Sequence, residues 1–219
     1  MTKGPVVILG AGGHARVIVE ALKAIGYKTG ILLDDDSSKW TGGVGGWSCV
    51  TGPITPERLK QWASMGVEFI VGVGNVDAKG CALRDKLYLM GMDAKWLPVT
   101  VIHRSAILLG ALGHGVFIGP RAVVMPGAVV GSNSIINTGA IVEHDCKVGD
   151  SCHIATGAIL CGGVRVGNKV HVGAGAIVKQ GVKIGDGATI GMGAVVLNDV
   201  LPEDTMVGNP DRVLSPWTL

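Results

Sequence analysis

Aliphatic residues recur at every sixth position through the C-terminal half of the chain. From Leu112 to Val196 in steps of six, all 15 positions are Leu, Ile or Val. The residue four places after each of them is small, and glycine directly follows the aliphatic residue in eight of the 15 hexads. The phase holds for 90 residues without a slip. A short period kept over such a length indicates a solenoid.

Each hexad is predicted to form one short strand and one turn. The aliphatic and the small residue point inward, and glycine or asparagine supplies turn conformations that other residues adopt at a cost. Three hexads make one triangular coil, and coils stack at about 4.7–4.9 Å. Residues 18 apart are therefore vertical neighbours in a prism of five coils. We expect Ile102–Ala111 to start the prism irregularly and Pro202–Leu219 to close it.

The first 98 residues follow a different pattern, in which apolar strands alternate with helices. The predicted strands are Pro5–Gly10, Gly30–Leu33 and Val67–Val73, and the predicted helices are Val17–Ile25, Pro56–Met65 and Asp77–Met90. This alternation is typical of an α/β domain with a short parallel sheet. We therefore expect a Rossmann-like domain at 1–98 and a parallel β-helix at 99–219.

A glycine-rich turn, Gly10-Ala11-Gly12-Gly13-His14, joins the first predicted strand to its helix. Such a turn lets backbone N–H groups approach a phosphate at the N-terminus of the helix. A domain of this size is too short for two mononucleotide-binding halves, which favours one nucleotide over a dinucleotide. A turn that serves only helix–strand packing, with His14 as a plain turn residue, remains the alternative.

Composition narrows the class of protein. No apolar run approaches the roughly 18 residues that would span a membrane. The net charge of +2 gives no electrostatic footprint for nucleic acid. Five cysteines without a tight spacing favour a reducing compartment over a disulfide scaffold. We therefore expect a cytoplasmic protein that binds neither nucleic acid nor membranes.

One turn of the predicted prism carries candidate chemistry. Glu143-His144-Asp145 places an imidazole between two carboxylates. Histidine suits a base that operates near neutral pH, and a neighbouring carboxylate can orient it. Gly162 lies three hexads later, hence one coil away at the same corner, where its N–H could hydrogen-bond an oxyanion. The alternative is a surface histidine in a charged turn.

The segments GAGGHAR, LLDDD, VGVGN and INTGAIVEHDC together resemble one family over essentially the whole chain. It comprises the bacterial nucleotide-sugar N-acetyltransferases that act on 4-amino sugars, of the bacillosamine and perosamine type, and the related sialic acid O-acetyltransferases. The resemblance implies a left-handed coil, a homotrimer with active sites between subunits, acetyl-CoA as co-substrate and a nucleotide sugar held by the N-terminal domain.

The resemblance also implies roles for individual residues. His144 is the base, Asp145 supports it and Gly162 donates to the oxyanion. The acetyl-CoA contacts are His153, Ala174 and Met192. The nucleotide-sugar site is lined by Gly12, Gly13 and His14, with Asp35 at the base and Gly74 and Asn75 near the phosphates or ribose.

Other features of the prism admit more than one interpretation. His153 and His171 are separated by three hexads, and the γ-class carbonic anhydrases use such a prism to bind zinc through three histidines. The Glu143-His144-Asp145 turn fits an oriented base better than a ligand set, so we expect no metal. A basic column at Lys147, Arg165 and Lys183 attracts CoA phosphates or is a solvated face. In the terminal Val207-Gly208-Asn209-Pro210 turn, Asp211 follows where the family usually has alanine.

Three functional hypotheses follow. The first is N-acetylation of a nucleotide-linked 4-amino sugar in glycan or surface-polysaccharide biosynthesis. The second is O-acetylation of a sialic acid at the same site, and the third is a nucleotide-sugar-binding protein with an inactive prism. The intact His144, Asp145 and Gly162 argue against the third. The nucleotide, the sugar stereochemistry, the acetylated position and the pathway product stay open.

Overall fold

The computed structural model describes residues 6–36, 38, 45–51, 53–62, 65–74 and 77–214. Within these residues, no helix combines the length and apolar character that crossing a membrane requires.

The N-terminal part folds as a parallel five-stranded sheet with helices, which confirms the predicted α/β class. Its elements are β1 (Val6–Leu9), α1 (Gly13–Ala24), β2 (Gly30–Asp34), β3 (Ser48–Thr51), α2 (Pro56–Lys60), β4 (Glu68–Val71), α3 (Ala78–Asp93) and β5 (Leu97–Pro98). The strand order is β3-β2-β1-β4-β5. The carboxyl ends of β1, β2 and β4 therefore meet at one edge, where the glycine-rich turn lies.

Several boundaries differ from the predictions. Helix α1 begins at Gly13, because the glycine-rich turn itself forms its first turn, with Gly12 as N-cap. Helix α2 ends at Lys60 instead of Met65. Just beyond it, Trp62 stacks on Trp96 with 6.0 Å between ring centroids, a tertiary contact that the local helical pattern does not contain. Strands β3 and β5 were not predicted.

The C-terminal part is a left-handed parallel β-helix of about six turns. Its strands are β6 (Val101–Ile102), β7 (Ile107–Leu108), β8 (Ala111–Leu112), β9 (Phe117–Ile118), β10 (Val123–Val124), β11 (Val129–Val130), β12 (Ile135–Ile136), β13 (Ile141–Val142), β14 (Lys147–Val148), β15 (His153–Ile154), β16 (Ile159–Leu160), β17 (Arg165–Val166), β18 (His171–Val172), β19 (Ile177–Val178), β20 (Lys183–Ile184), β21 (Thr189–Ile190), β22 (Val195–Val196), β23 (Thr205–Val207) and β24 (Arg212–Val213).

These strands form the three faces of a triangular prism. The docked face packs against the N-terminal domain and contains β6, β9, β12, β15, β18, β21, β23 and β24. The apolar face contains β7, β10, β13, β16, β19 and β22, and the basic face contains β8, β11, β14, β17 and β20. The predicted inward residues fill the interior, and Cys146 and Cys152 lie there as fully buried small residues. The periodic interpretation of the sequence is thus confirmed.

The two ends of the prism depart from the regular repeat. Val101 pairs with Phe117 and Ile107 pairs with Val123, so the first coil is two residues short on these faces. At the other end, Thr189 pairs with Thr205, so the last coil is shortened by the same amount. The antiparallel β24 then closes the docked face. The irregular start agrees with the expectation from sequence, although it already carries paired strands. The expected closing segment Pro202–Leu219 agrees as far as residue 214, and residues 215–219 lie outside the described residues.

The N-terminal domain covers the docked face through a shared apolar core. Ile18 and Leu22 of α1 belong to the same buried cluster as Val101, Phe117 and Ile135 of the prism. This packing brings the carboxyl edge of the parallel sheet toward the outward side chains of β15 and β18.

Candidate active site

The turn after β13 holds an oriented imidazole. His144 Nδ1 lies 2.9 Å from Asp145 Oδ2, and the His144 backbone N–H donates to Glu143 Oε2 at 3.3 Å. Asp145 has a φ of +62°, whereas the equivalent positions one coil before and one coil after it are glycines, Gly127 and Gly163. The left-handed backbone conformation is costly for a residue other than glycine. An aspartate at a position where adjacent coils use glycine points to its contact with His144.

The electrostatics of His144 suit a base. The hydrogen bond that His144 donates to Asp145 raises the pKa of His144 above its ordinary value, and the charges of Asp145 and Glu143 act in the same direction. When the neutral imidazole donates Nδ1–H to Asp145, its proton-free nitrogen is Nε2. That nitrogen faces Gly162, where an added Cβ would lie 2.6 Å from it. The ring is exposed to solvent and therefore open to a substrate.

The backbone N–H of Gly162 differs from the corresponding amides at another corner of the prism. There, the amides of Ser132, Asp150 and Asn168 donate to a side chain one coil later, at 2.6, 2.9 and 2.8 Å. Across the described part of the chain, no acceptor pairs with the Gly162 N–H. A free amide beside His144 can stabilise a developing oxyanion.

His153 is buried between the prism and the N-terminal domain. Asn137 lies beside it, with Nδ2 at 3.1 Å from His153 Nε2. The Asn137 Oδ1 accepts the Thr138 N–H at 2.8 Å, so the amide is oriented to donate through Nδ2. His153 Nε2 is then an acceptor and its proton is on Nδ1. Sequence reasoning missed Asn137. It is the one strongly polar residue among vertical neighbours spaced 18 residues apart, the others being Gly119, Ala155, Gly173 and Gly191.

His14 reaches across to the same region. Its ring makes an edge contact with Phe117 at 5.0 Å and lies 6.4 Å from His153. Burial lowers the pKa of His14 well below its ordinary value, and the charges of Arg84 and His153 lower it further. His14 is thus a neutral imidazole at the interface between the two parts of the chain, and among the described residues its buried Nε2 has no hydrogen-bond partner.

The two histidines of the docked face do not belong to a metal-binding group. His153 and His171 are stacked neighbours, with ring centroids 5.1 Å apart. Burial lowers the pKa of His171. Over the described ranges, no group of three or more His, Cys, Asp or Glu is arranged to hold a metal ion.

The glycine-rich turn forms an open edge at the carboxyl ends of the strands. Added Cβ atoms at Gly12 or Gly13 would meet nothing within 4 Å. The first turn of α1 has no side-chain cap at Gly12. The turn is held by Asp34, whose Oδ2 accepts the Ala11 N–H at 2.6 Å. Sequence reasoning had singled out the neighbouring Asp35 and missed this role of Asp34.

Two of the remaining predicted substrate residues, Asp35 and Gly74, follow strands whose carboxyl ends lie at this edge. Asp35 is exposed, and its Oδ1 accepts the Ile54 N–H. Gly74 is exposed and lies on His14, since an added Cβ would come 2.8 Å from His14 Cβ. Asn75 lies outside the described residues. The structure thus brings Gly12, Gly13, His14 and Gly74 to one end of the sheet.

Ala174 and Met192 stack at a further corner of the prism. The Gly175 N–H donates to Thr156 and the Gly193 N–H donates to Ala174, each at 2.9 Å. Both predicted side chains are exposed, Met192 by 83%. Within one subunit, this corner and the His144 corner are separated by the width of the apolar face.

Comparisons with known proteins agree with these features. Residues 5–85 match the family described as PglD N-terminal domain. Residues 112–144 and 163–198 match the bacterial transferase hexapeptide family.

Solved structures extend the similarity to the whole chain. The acetyltransferase domain of PglB from Neisseria gonorrhoeae, in complex with acetyl coenzyme A, is 31% identical with a TM-score of 0.86, covering 96% of this chain and 98% of that one. PerB from Caulobacter crescentus, in complex with CoA and GDP-perosamine, is 34% identical with a TM-score of 0.86, covering 97% and 98%. WeeI from Acinetobacter baumannii, at 22% identity, shares the fold with a TM-score of 0.79 over 96% and 100%. The chain therefore belongs to the family of acetyl-CoA-dependent hexapeptide-repeat sugar acetyltransferases.

Proposed function

We propose that the chain transfers the acetyl group of acetyl-CoA to the amino group of a nucleotide-linked 4-amino sugar. The observation that carries this proposal is the arrangement at one corner: His144 Nε2, oriented through the bond between Nδ1 and Asp145, lies beside Gly162, whose N–H has no acceptor within the described residues. The glycine-rich edge of the N-terminal domain adds a place for a nucleotide phosphate. PerB, which is similar over nearly the whole chain, is described in complex with GDP-perosamine.

In the proposed reaction, the amine attacks the thioester carbonyl carbon directly. His144 Nε2 accepts the proton that the amine loses as the new C–N bond forms. The Gly162 N–H donates to the oxyanion of the tetrahedral intermediate. Collapse of that intermediate breaks the C–S bond and releases CoA as the thiolate. The imidazolium then returns its proton to the thiolate or to solvent.

The two parts of the chain take separate roles in this proposal. The domain 1–98 holds the nucleotide sugar through Gly12, Gly13, His14, Asp35, Gly74 and Asn75. The domain 99–219 holds acetyl-CoA through His153, Ala174 and Met192. The open space beside Gly12 and Gly13, together with the uncapped first turn of α1, supports the phosphate end of this assignment.

A homotrimer completes the site in this proposal. The outward side chains of the apolar face are all aliphatic: Ile107, Val123, Ile141, Ile159, Ile177 and Val195. An aliphatic stripe along a whole face is typical of an interface. One edge of this face is the His144 corner and the other is the Ala174 corner. Packing three such faces around a three-fold axis brings the His144 corner of one subunit beside the Ala174 corner of the next.

We place the reaction in the cytoplasm. Cys81, Cys146, Cys152 and Cys161 are all free thiols, as expected of a reducing compartment.

The second candidate is O-acetylation of a sialic acid at the same corner. A hydroxyl depends on the oriented His144 base more than a neutral amine does, and Asp145 supplies that orientation. The experiment that separates the candidates is a thiol-release assay with acetyl-CoA and a panel of UDP-, GDP- and dTDP-4-amino sugars, with sialic acid in parallel. Turnover with one nucleotide amino sugar supports the first candidate, and turnover with sialic acid alone supports the second. An inactive binding protein would release no thiol with any acceptor.

A further inference from the structure

Arg84 of α3 is fully buried at the junction between the N-terminal domain and the prism. Its Nη1 donates to the carbonyl oxygens of Val71 at 2.9 Å and Val73 at 3.0 Å. Its Nε donates to the carbonyl oxygen of Asn133 at 2.6 Å. Burial lowers the pKa of Arg84 to about 9, and no carboxylate within the described ranges pairs with it. A buried charge held only by carbonyls is costly, so its geometry needs a reason.

On the prism side, α3 is fastened to three successive coils. Asn133 Nδ2 returns a bond to the Arg84 carbonyl oxygen at 3.2 Å. One and two coils later, Ser151 Oγ and Lys169 Nζ bond the two carboxylate oxygens of Asp85, at 2.8 and 2.9 Å. Asn133, Ser151 and Lys169 all have φ between +56° and +58°. A positive φ is costly for residues other than glycine. Their presence at these turn positions indicates that the contacts with α3 offset the cost of the left-handed backbone conformation.

On the other side, Arg84 holds the segment Val71–Gly74. Val71 is the last residue of β4, and Val73 directly precedes Gly74. Gly74 in turn lies against His14, since a methyl group there would come 2.8 Å from His14 Cβ. A shift of this segment would therefore move the glycine and the histidine that line the open edge.

We propose that Arg84 is a positioning residue that fixes the Val71–Gly74 segment, part of the nucleotide-sugar site, against the prism that carries acetyl transfer. The inference rests on the proposed function, in which this segment contacts the nucleotide sugar. Arg84 itself touches neither substrate; it acts through the Val71–Gly74 segment. The guanidinium suits this role because its planar fork reaches carbonyls in two directions at once. A lysine ammonium keeps the charge but is a single nitrogen at the end of a flexible stem.

The test is calorimetric titration of the full-length protein with GDP, UDP and dTDP, and separately with CoA, which requires no acetyl transfer. For Arg84→Lys we expect about tenfold weaker binding of the preferred nucleotide, because the nucleotide must then order the Val71–Gly74 segment that a hydrogen bond from a charged donor otherwise holds. Binding of CoA should stay within about twofold. The matched control is Lys169→Ala, which removes the exposed bond to Asp85 and leaves Arg84 in place. It should bind both ligands as the wild type does. If Arg84→Lys fails to fold, the uncharged Arg84→Gln provides the same comparison.

The outcomes separate this inference from the proposed function. A wild type that binds none of the three nucleotides contradicts the nucleotide-sugar proposal and this inference with it. A wild type that binds one of them, beside an Arg84→Lys variant that binds it equally well, contradicts this inference alone. Equal weakening toward nucleotide and CoA, or a lower melting temperature with unchanged binding, would make Arg84 a purely structural residue and also overturn the inference.

Discussion

Gly162 lies so close to the imidazole of His144 that a methyl group on Gly162 would come within 2.6 Å of Nε2. The φ of Gly162 is outside the left-handed region, so space and not backbone conformation requires glycine there. Its neighbour Gly163 shows the opposite case, with a φ of +70° and open space where a Cβ would stand. Gly162 is therefore required for the space beside His144, and Gly163 for the backbone conformation of the turn.

Replacing each of these two glycines by alanine should affect a different property, kcat for Gly162 and stability for Gly163. Gly162→Ala should lower kcat by about 10²-fold, the effect of misplacing a catalytic group by roughly 1 Å, with an unchanged melting temperature. Gly163→Ala should lower the free energy of unfolding by about 1–2 kcal/mol and keep kcat. Steady-state kinetics and thermal unfolding of both variants check this. A Gly162→Ala enzyme with wild-type kcat would remove the steric basis of the site.

The pH dependence should follow the bond between His144 and Asp145. A general base works in its neutral form, and Asp145 raises the pKa of His144. The acidic limb of the kcat/KM profile should therefore lie above the ordinary histidine value. In Asp145→Asn the negative charge is lost, so the limb should move to lower pH. The activity loss should be smaller than that of removing the imidazole. An acidic limb that is unchanged by Asp145→Asn would mean that another group controls it.

The apolar face should hold the subunits together. Ile159→Asp places a charge in the middle of the proposed three-fold interface and should dissociate the trimer. Val129→Asp is the matched control, because Val129 is also an aliphatic residue at an outward position, but on the basic face. Analytical ultracentrifugation at micromolar concentration should show monomers only for the first variant. A wild type that sediments as a fully active monomer would contradict the trimer.

Mixed trimers should recover activity from two inactive variants. His144→Ala removes the base, and Ala174→Trp blocks the corner assigned to acetyl-CoA. If the site combines these corners from adjacent subunits, random mixing leaves about a quarter of the sites with both corners intact. Co-refolding the two variants and measuring thiol release tests this. No recovery above the separate variants would place the site within one subunit.

The prism and the vertical stacking of His144 and Gly162 were predictable because both follow from a strict local period. A period of six sets which residues point inward, and three hexads fix which residues are neighbours on adjacent coils. The α/β class followed in the same way from alternating apolar segments. The shortened first coil was foreseen only as an irregular start, since its length depends on how Val101 pairs with Phe117.

Contacts between distant segments were not predictable. Asp34, and not Asp35, holds the glycine-rich turn, because the side chain that points toward Ala11 depends on how β2 ends beside β1. Asn137 orients His153 from a position that is not its vertical neighbour in the stack. Arg84 donates hydrogen bonds to carbonyl oxygens of both the N-terminal domain and the prism. No sequence motif identifies an arginine whose partners are backbone atoms.

The most direct test of His144 as the base of acetyl transfer is steady-state kinetics of His144→Ala across pH, with acetyl-CoA and the preferred acceptor from the panel. The imidazole acts mainly in the transition state, so kcat and kcat/KM should fall together. The expected fall is about 10²–10⁴-fold, the acidic limb should disappear or move, and CoA should bind as it does to the wild type. A variant that keeps near wild-type kcat and the same acidic limb would show that His144 is only a surface residue, with the base at His153 or on the substrate itself.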